Sequence, residues 1–503
     1  MNRDWMKVTY GRKGVSADHP LAVAAGLKVL ENGGNAFDAS IAVSAVLSVV
    51  HPFSGGLGGD GFILALSNNE IIAYNGSGRS PSGFNAEEYM AKKPLRGPLT
   101  VTIPGLVEMW GYIVEEYGTK DLRDLLKPAI SLAENGFYAD RALGAAVSRY
   151  RGELEAFEEW KKLYGSVETG SLVRNRGLAN VLRRISSRGW DEFYYGRVAE
   201  DLVSGLEKQG VGISLEDLMD HEGLEVEPLK LDLGSRVLYE LPPNSQGIST
   251  LQMISALHEL EIDKYGFNDL RRIDAWSEPT KKIYTFRDRN IGDPEAMTID
   301  PRGFVKYNSI KTEAAGSERL SDRDTTFFVV DDGENLVGFI QSLFYPFGSG
   351  VTTLGIVMQN RGSGFSYEKG LPNTPSPRKR PLHTLSILMV DDHERNSIYM
   401  IGCAGGDYRP QIHTRIYENI FVYNMSLGEA LAAPRFIYTD LSKGSRVIIE
   451  EGLGEYRSSL GIEAQVIKGQ RSTGLVNAAR RDRTKGYTEF APDTRGTAIS
   501  IAI

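Results

Sequence analysis

From Phe37 to Val50 the sequence is almost entirely Ala, Val, Ile, Leu and Ser. A helix of that composition has no polar stripe to present to water, so it must be covered on most sides. This rules out a small open fold and calls for stacked layers. A partner helix is expected over Ala17–Leu30, closed by Gly33-Gly34 as a helix end would be. The 503-residue chain is long enough to bury such cores without staples. Its single cysteine, Cys403, excludes an intramolecular disulfide and a cysteine-rich zinc site.

Strand patterns follow the apolar helices. Phe62–Leu66, behind the glycine run Gly55–Gly61, reads as a buried strand, and Ile71–Tyr74 as the next. Helical patterns dominate from about 105 to 218. Val237–Leu241 returns to strand character, and a helix is expected over Ser249–Leu260. Residues 305–324 are polar and loop-like. Beyond them, Thr326–Val330 and Leu336–Leu343 form a hairpin pattern about Asp331-Asp332-Gly333. Leu385–Val390 and Ile398–Ile401 read as a further pair. Hairpins flanked by apolar helices predict a sheet sandwich covered by helices.

Several function classes drop out. Lys and Arg total 57 against 65 Asp and Glu, a net charge of −8, which argues against nucleic acid and against an anionic membrane surface as partners. The seven histidines form no HxH or HxxxH pair, so no metal site is expected. Gly56–Gly61 formally satisfies GxGxxG, but a strand follows it where a dinucleotide site needs a helix. There is no phosphate loop and no GxSxG elbow, and no cofactor is expected. With no run approaching ~18 apolar residues and no signal-peptide pattern, the reading is a cytoplasmic protein.

Three places could carry chemistry. At Asp324-Thr325-Thr326, a cut before Thr325 would give that threonine its own α-amine, with a reference pKa of ~7.7–8.0, as the base that activates its hydroxyl. Otherwise the pair simply begins a strand. Gly405-Gly406, after the strand ending at Ile401, could supply N–H donors to a tetrahedral intermediate, or merely turn the chain. Arg79, in Asn75-Gly76-Ser77-Gly78-Arg79, is either a carboxylate clamp or a surface arginine.

Together and in this order, these features resemble the gamma-glutamyltranspeptidase family of N-terminal nucleophile hydrolases. His19-Pro20-Leu21-Ala22, Gly33–Ala39, Gly55–Phe62, Ile103-Pro104-Gly105, Lys127–Ile130, Phe286–Arg289, Asp324-Thr325-Thr326, Gly405-Gly406 and Ala433–Phe436 carry the resemblance. It implies an α+β fold, a four-layer αββα sandwich. It also implies a precursor that cuts itself between Asp324 and Thr325 into fragments 1–324 and 325–503, which stay associated. Thr325 would then be the nucleophile, Gly405 and Gly406 the oxyanion donors, and Arg79 the clamp for a small amide substrate. Further homo-oligomerisation is left open.

The sequence departs from the family where specificity is set. Gly364 precedes Phe365-Ser366 where transpeptidases place an aspartate for the substrate α-amine. The paired serines appear as His383-Thr384, and the positions expected to face the nucleophile and the substrate fall at Gln341, Leu343 and Tyr345. Gln341, Tyr345, His383 and Thr384 are the expected substrate contacts, with His383 readable also as a satisfied structural histidine. A cationic amine bound without its anion would be poorly paired. The stretches Gln359-Asn360-Arg361-Gly362 and Arg380–Thr384 look more like the branch that includes oxamate amidohydrolase. Three readings stand: a gamma-glutamyltranspeptidase-related hydrolase, an amidohydrolase of a small carboxylate-bearing amide, and an unprocessed homologue that serves as a binding protein.

Overall fold

The computed structural model describes residues 8–311, 320, 324–442, 445–468 and 471–503. Met1–Lys7, most of the loop expected over 305–324, and Ser321, Asp322 and Arg323 lie outside the described residues.

Two seven-stranded sheets organise the chain. The first holds β2 (Gly14–Ala17), β3 (Asp60–Ser67), β4 (Glu70–Gly76), β5 (Leu224–Glu225), β8 (Asp324–Asp331), β9 (Leu336–Phe344) and β14 (Ile499–Ala502), in the order β14-β2-β8-β9-β3-β4-β5. The second holds β1 (Thr9–Gly11), β6 (Leu229–Asp232), β7 (Arg236–Glu240), β10 (Leu388–Asp392), β11 (Ser397–Ala404), β12 (Leu475–Asp482) and β13 (Tyr487–Pro492), in the order β1-β13-β12-β11-β10-β7-β6. All neighbours pair antiparallel. Each sheet mixes strands from before and after Thr325.

Alternation along β8 gives the layering, because successive side chains of a strand face opposite sides. Phe327 and Val329 join Phe62, Ile387, Met400 and Phe490 in the core between the sheets. Phe328 and Val330 point the other way, into a core shared with α1 (Pro20–Glu31), α2 (Ala36–Val50) and α3 (Leu106–Glu116). The outer face of the second sheet, with Leu388, Val390 and Ile401, packs on α4 (Gly247–Glu259), α5 (Arg271–Asn290) and α6 (Arg409–Phe421). The order is helix, sheet, sheet, helix. Every residue of α2 is buried, as its composition requires. Asn35 and Asp38 close its N-terminus as a capping box. Each of its Val, Leu and Ile side chains contributes about 1.5–3 kcal/mol on burial.

The sheets approach closely at glycine. A Cβ on Gly402 would stand 2.4 Å from the Phe327 ring, and one on Gly338 2.7 Å from Met400 Sδ. Two of the boundaries that differ from expectation have a local cause. The first helix begins at Pro20, not Ala17, because β2 continues to Ala17 and His19 caps the helix by accepting the Leu21 N–H. β10 begins at Leu388, not Leu385: the Leu385 N–H goes to His383 Nδ1 and the Ile387 N–H to Glu240 Oε2, so side chains take bonds a strand ladder would use. Among the described residues no helix is long and apolar enough to cross a membrane.

Candidate active site

β8 starts at the expected junction, and alternation separates its two threonines. Thr325 is 1% exposed and shares its parity with Phe327 and Val329, on the inter-sheet side. Thr326 points toward the helices, where its buried hydroxyl has no hydrogen-bond partner among the described residues. A bulge between Asp324 and Thr326 sets Thr325 off from the regular ladder.

The hydrogen bonds at this bulge are directional. Thr325 Oγ1 donates to Ser342 Oγ at 3.3 Å, and Ser342 Oγ donates to the Asp324 carbonyl oxygen at 3.0 Å. The Phe344 N–H donates to the same serine oxygen at 2.8 Å. On the acid side, Asp324 Oδ1 accepts the Thr325 N–H at 3.0 Å and the Ser54 hydroxyl at 2.9 Å. The threonine hydroxyl is therefore linked, through one serine, to the carbonyl of the peptide bond that precedes it.

The glycine turn approaches from the other sheet. Met400 packs at Gly338, which pairs with Val329, and Gly402 packs at Phe327. Beyond Gly402, β11 ends at Ala404 and Gly405-Gly406 begins. Gly406 has φ +50°, a left-handed conformation suited to glycine. Gln246 Nε2 donates to the carbonyls of Gly406 at 2.8 Å and Thr384 at 3.0 Å, joining the turn to the 383–384 segment. Arg287 holds that amide in place through Gln246 Oε1 at 2.9 Å.

The expected substrate contacts divide. Thr384 is beside the glycine turn, and its Oγ1 accepts from Arg361 at 3.4 Å. Tyr345 is half-buried at the rim, with its N–H on Asn360 Oδ1 and its ring edge-on to Phe344. Gln341 faces the opposite side: its Oε1 accepts the Ser44 hydroxyl, and its Nε2 lies 3.4 Å from Ser44 O and Ser48 Oγ. In that placement the side chain fastens β9 to α2, away from the Thr325 face of the strand. Leu343 shares the face toward α2. His383 is fully buried. Nδ1 accepts the Leu385 N–H at 3.3 Å and Nε2 meets Asp60 Oδ2 at 3.2 Å, so both ring nitrogens are spent. Burial, then the charges of Arg361 and Arg409, hold its pKa well below the usual histidine value. Burial pushes Asp60 up to about 7. Arg79 grips Glu295 at 2.6 Å on the surface.

Ser342, Arg361 and Gln246 were not among the residues expected from sequence. Ser342 had a signal: counting back from the turn pair Asp331–Leu336 sets Thr325 opposite Ser342, not Gln341 or Leu343. Among the described residues no three His, Cys, Asp or Glu side chains gather as a metal site.

Comparison with known proteins identifies the family. The profile for gamma-glutamyltranspeptidase matches residues 22–503. The chain belongs to the gamma-glutamyltranspeptidase family. It is 34% identical to the glutathione hydrolase-like YwrD proenzyme of Bacillus subtilis, over 84% of each chain. It is 30% identical to the oxamate amidohydrolase proenzyme of Klebsiella pneumoniae, again over 84% of each. Among solved structures, cephalosporin acylase from Bacillus halodurans superposes with a TM-score of 0.87 at 28% identity, covering 99% of this chain and 97% of that one. A gamma-glutamyltranspeptidase-family chain with this fold is an enzyme of the N-terminal nucleophile hydrolase and transferase type.

Proposed function

We propose that this protein cuts its own Asp324–Thr325 bond and then hydrolyses a small carboxylate-bearing amide through Thr325. The hydrogen-bond chain from Thr325 through Ser342 to the Asp324 carbonyl carries the reading. Thr325 Oγ attacks the Asp324 carbonyl carbon as its proton passes to Ser342, whose own proton moves to the carbonyl oxygen. The C–N bond then breaks, leaving the Asp324 acyl group as an ester on Thr325 Oγ and a new α-amine on Thr325. Water hydrolyses the ester and leaves Asp324 as a carboxylate. Both relatives named above as proenzymes are consistent with such a cut.

The freed amine serves as the base for the second reaction. Thr325 Oγ attacks the substrate amide, the oxyanion is received at Gly405-Gly406, ammonia or an amine leaves, and water releases the acid. Cutting also frees the chain end before Thr325. Leu320, which is buried with its N–H on Thr439 O and its carbonyl on Tyr408 Oη, holds that end against the glycine turn in the uncut chain. Because each sheet takes strands from both fragments, the two remain together after the cut.

The substrate reading rests on Gly364. A Cβ there would lie 3.7 Å from the Phe344 ring, so the residue borders the site without offering a carboxylate to an α-amine. Oxamate-type amides need none. Intact mass under denaturing conditions tests the first step: two fragments meeting at Asp324–Thr325 support it, and one persisting full-length mass would favour the unprocessed binding protein. Ammonia release from oxamate, set against p-nitroaniline release from γ-glutamyl-p-nitroanilide, tests the second step.

A further inference from the structure

We propose that Glu295 holds the place of the substrate carboxylate on a pair of arginines, Arg79 and Arg380, and gives way when that carboxylate arrives. This rests on the amide-hydrolase reading above. Arg79 Nη2 meets Glu295 Oε1 at 2.6 Å, but the two side chains are 36% and 68% exposed. Water and salt compete for both partners of so open a pair, and it is broken at little cost. Glu295 stands in the short turn Pro294–Ala296, none of whose residues is buried, so its side chain can swing out without disturbing a core.

Arg380 is the opposite case. It is 3% exposed, and among the described residues its charge has no carboxylate within ion-pair distance. Nε donates to Ser77 O at 3.0 Å and Nη2 to Glu222 O at 2.7 Å, both neutral carbonyls, while Nη1 makes no hydrogen bond among the described residues. Asp293 is near, but its oxygens accept the backbone N–H groups of Arg380 at 2.7 Å and Glu295 at 3.1 Å. Burial, then the charge of Arg79, lowers the Arg380 pKa. After burial, the same two arginines are what hold the His221 pKa down at about 3. Two neighbouring cations thus share one exposed carboxylate, and the buried one lacks the anion that a desolvated charge calls for.

The pair is placed toward Thr325 from two directions. Asp60 is the strand partner of Ser342 and accepts the Gly78 N–H at 3.1 Å, so β3 alone separates the Arg79 turn from the Thr325–Ser342 contact. Arg380 begins the run Arg380–Thr384, and the Thr384 and Gly406 carbonyls share Gln246 Nε2. A substrate lying along this run sets its carboxylate on the arginines and its amide carbonyl at the glycine turn. Guanidinium N–H edges match a carboxylate, and an incoming carboxylate replaces Glu295 in kind, so the exchange leaves no cation unpaired.

Calorimetry on the purified enzyme with oxalate, succinate and glutarate tests the exchange without turnover. Glu295→Gln removes the competitor and should tighten the best-bound dicarboxylate by about two- to fivefold. In an Arg79→Ala background the same change should bring no gain, since there is no Arg79 to free. A gain of equal size in both backgrounds would be a general effect of charge and would overturn the exchange. Arg380→Gln should weaken binding by roughly 10- to 100-fold, and Arg380→Lys, which keeps the charge without the fork, should fall between. Thermal midpoints report whether each variant is folded, and the surface change at Glu295 carries the test if Arg380→Gln is not. Binding that ignores Glu295 or Arg380, or no binding of any probe to wild type and Glu295→Gln alike, removes the site. Hydrolysis of the matching monoamides oxamate, succinamate and glutaramate is followed separately. Hydrolysis with a KM indifferent to Glu295 and Arg380 keeps the reaction and overturns the exchange. Binding that responds as expected, without hydrolysis, keeps the exchange and removes the reaction.

Discussion

The Ser342 hydroxyl donates to the Asp324 carbonyl oxygen at 3.0 Å while accepting from Thr325 Oγ1 at 3.3 Å, so one side chain touches both the carbonyl and the threonine hydroxyl that flank a single peptide bond. Ser342→Ala removes the donor that receives charge as the carbonyl is attacked. By comparison with loss of one oxyanion donor, self-cleavage should slow by roughly 100-fold or more. Ser342→Thr keeps the hydroxyl and should restore most of the rate. A time course of full-length and fragment masses reads both, and wild-type cleavage by the alanine variant would sink the relay.

The two threonines of the junction should separate cleanly. Thr325→Ala should remain one chain and inactive, because the attacking hydroxyl is gone. Thr326→Ala should still split, since that side chain faces the helices and makes no hydrogen bond among the described residues. Electrophoresis after prolonged incubation distinguishes them. Cleavage in the first variant would move the nucleophile elsewhere.

How far the sequence carried the structure depends on the scale of the interaction. α2 was legible because its composition leaves it nowhere to go but the interior. The β8–β9 hairpin was legible because Asp331-Asp332-Gly333 sits between two alternating runs. Which β9 side chain meets Thr325 is a one-residue question. A bulge at Asp324 shifts the apparent register there, and a one-residue slip moves a side chain to the other face of the sheet. Arg361 stood in a stretch that the sequence singled out, but its place beside Thr384, like that of Gln246, was not legible because the three come from segments far apart in sequence. The pairing of Arg79 with Glu295 was not legible because Glu295 lies in a distant segment with no motif of its own.

Gln341 gives a test of that one-residue distinction. If it fastens β9 to α2, Gln341→Leu should take from the buried Ser44 hydroxyl the acceptor it donates to, at an oxygen that also receives Trp110 Nε1 at 2.8 Å. Leaving such buried groups unsatisfied costs about 1–3 kcal/mol. The denaturation midpoint should fall while KM for the amide substrate holds. A raised KM with unchanged stability would return Gln341 to the substrate site.

Gly402 sets the distance between the sheets next to Thr325. Gly402→Ala would place a methyl 2.4 Å from the Phe327 ring, and overpacking of this kind costs about 1–3 kcal/mol. Phe327→Leu in the same chain gives the methyl room, so the double variant should be more stable than the sum of the single losses predicts. Denaturant titration of all four chains measures the coupling. Additive losses would mean that the two residues do not touch in solution.

Stability should fall with rising pH through His413. Its ring is fully buried, which alone would lower its pKa, but Cys403 beside it and Glu240, 3.1 Å from Nδ1, outweigh burial and hold it up at about 9. In the unfolded chain the value is ~6.5. Between those values the folded protein keeps a proton that the unfolded chain has released, so unfolding gains free energy as pH rises. The stabilisation is fully present below about pH 6.5 and is lost as pH climbs through about 9; it amounts to about 3 kcal/mol at 1.36 kcal/mol for each pKa unit. His413→Gln cannot titrate, so its unfolding free energy should be lower at pH 6 and flatter from pH 6 to 9. Urea unfolding of both chains at several pH values in that range decides it, and parallel curves would show that His413 is neutral in the fold.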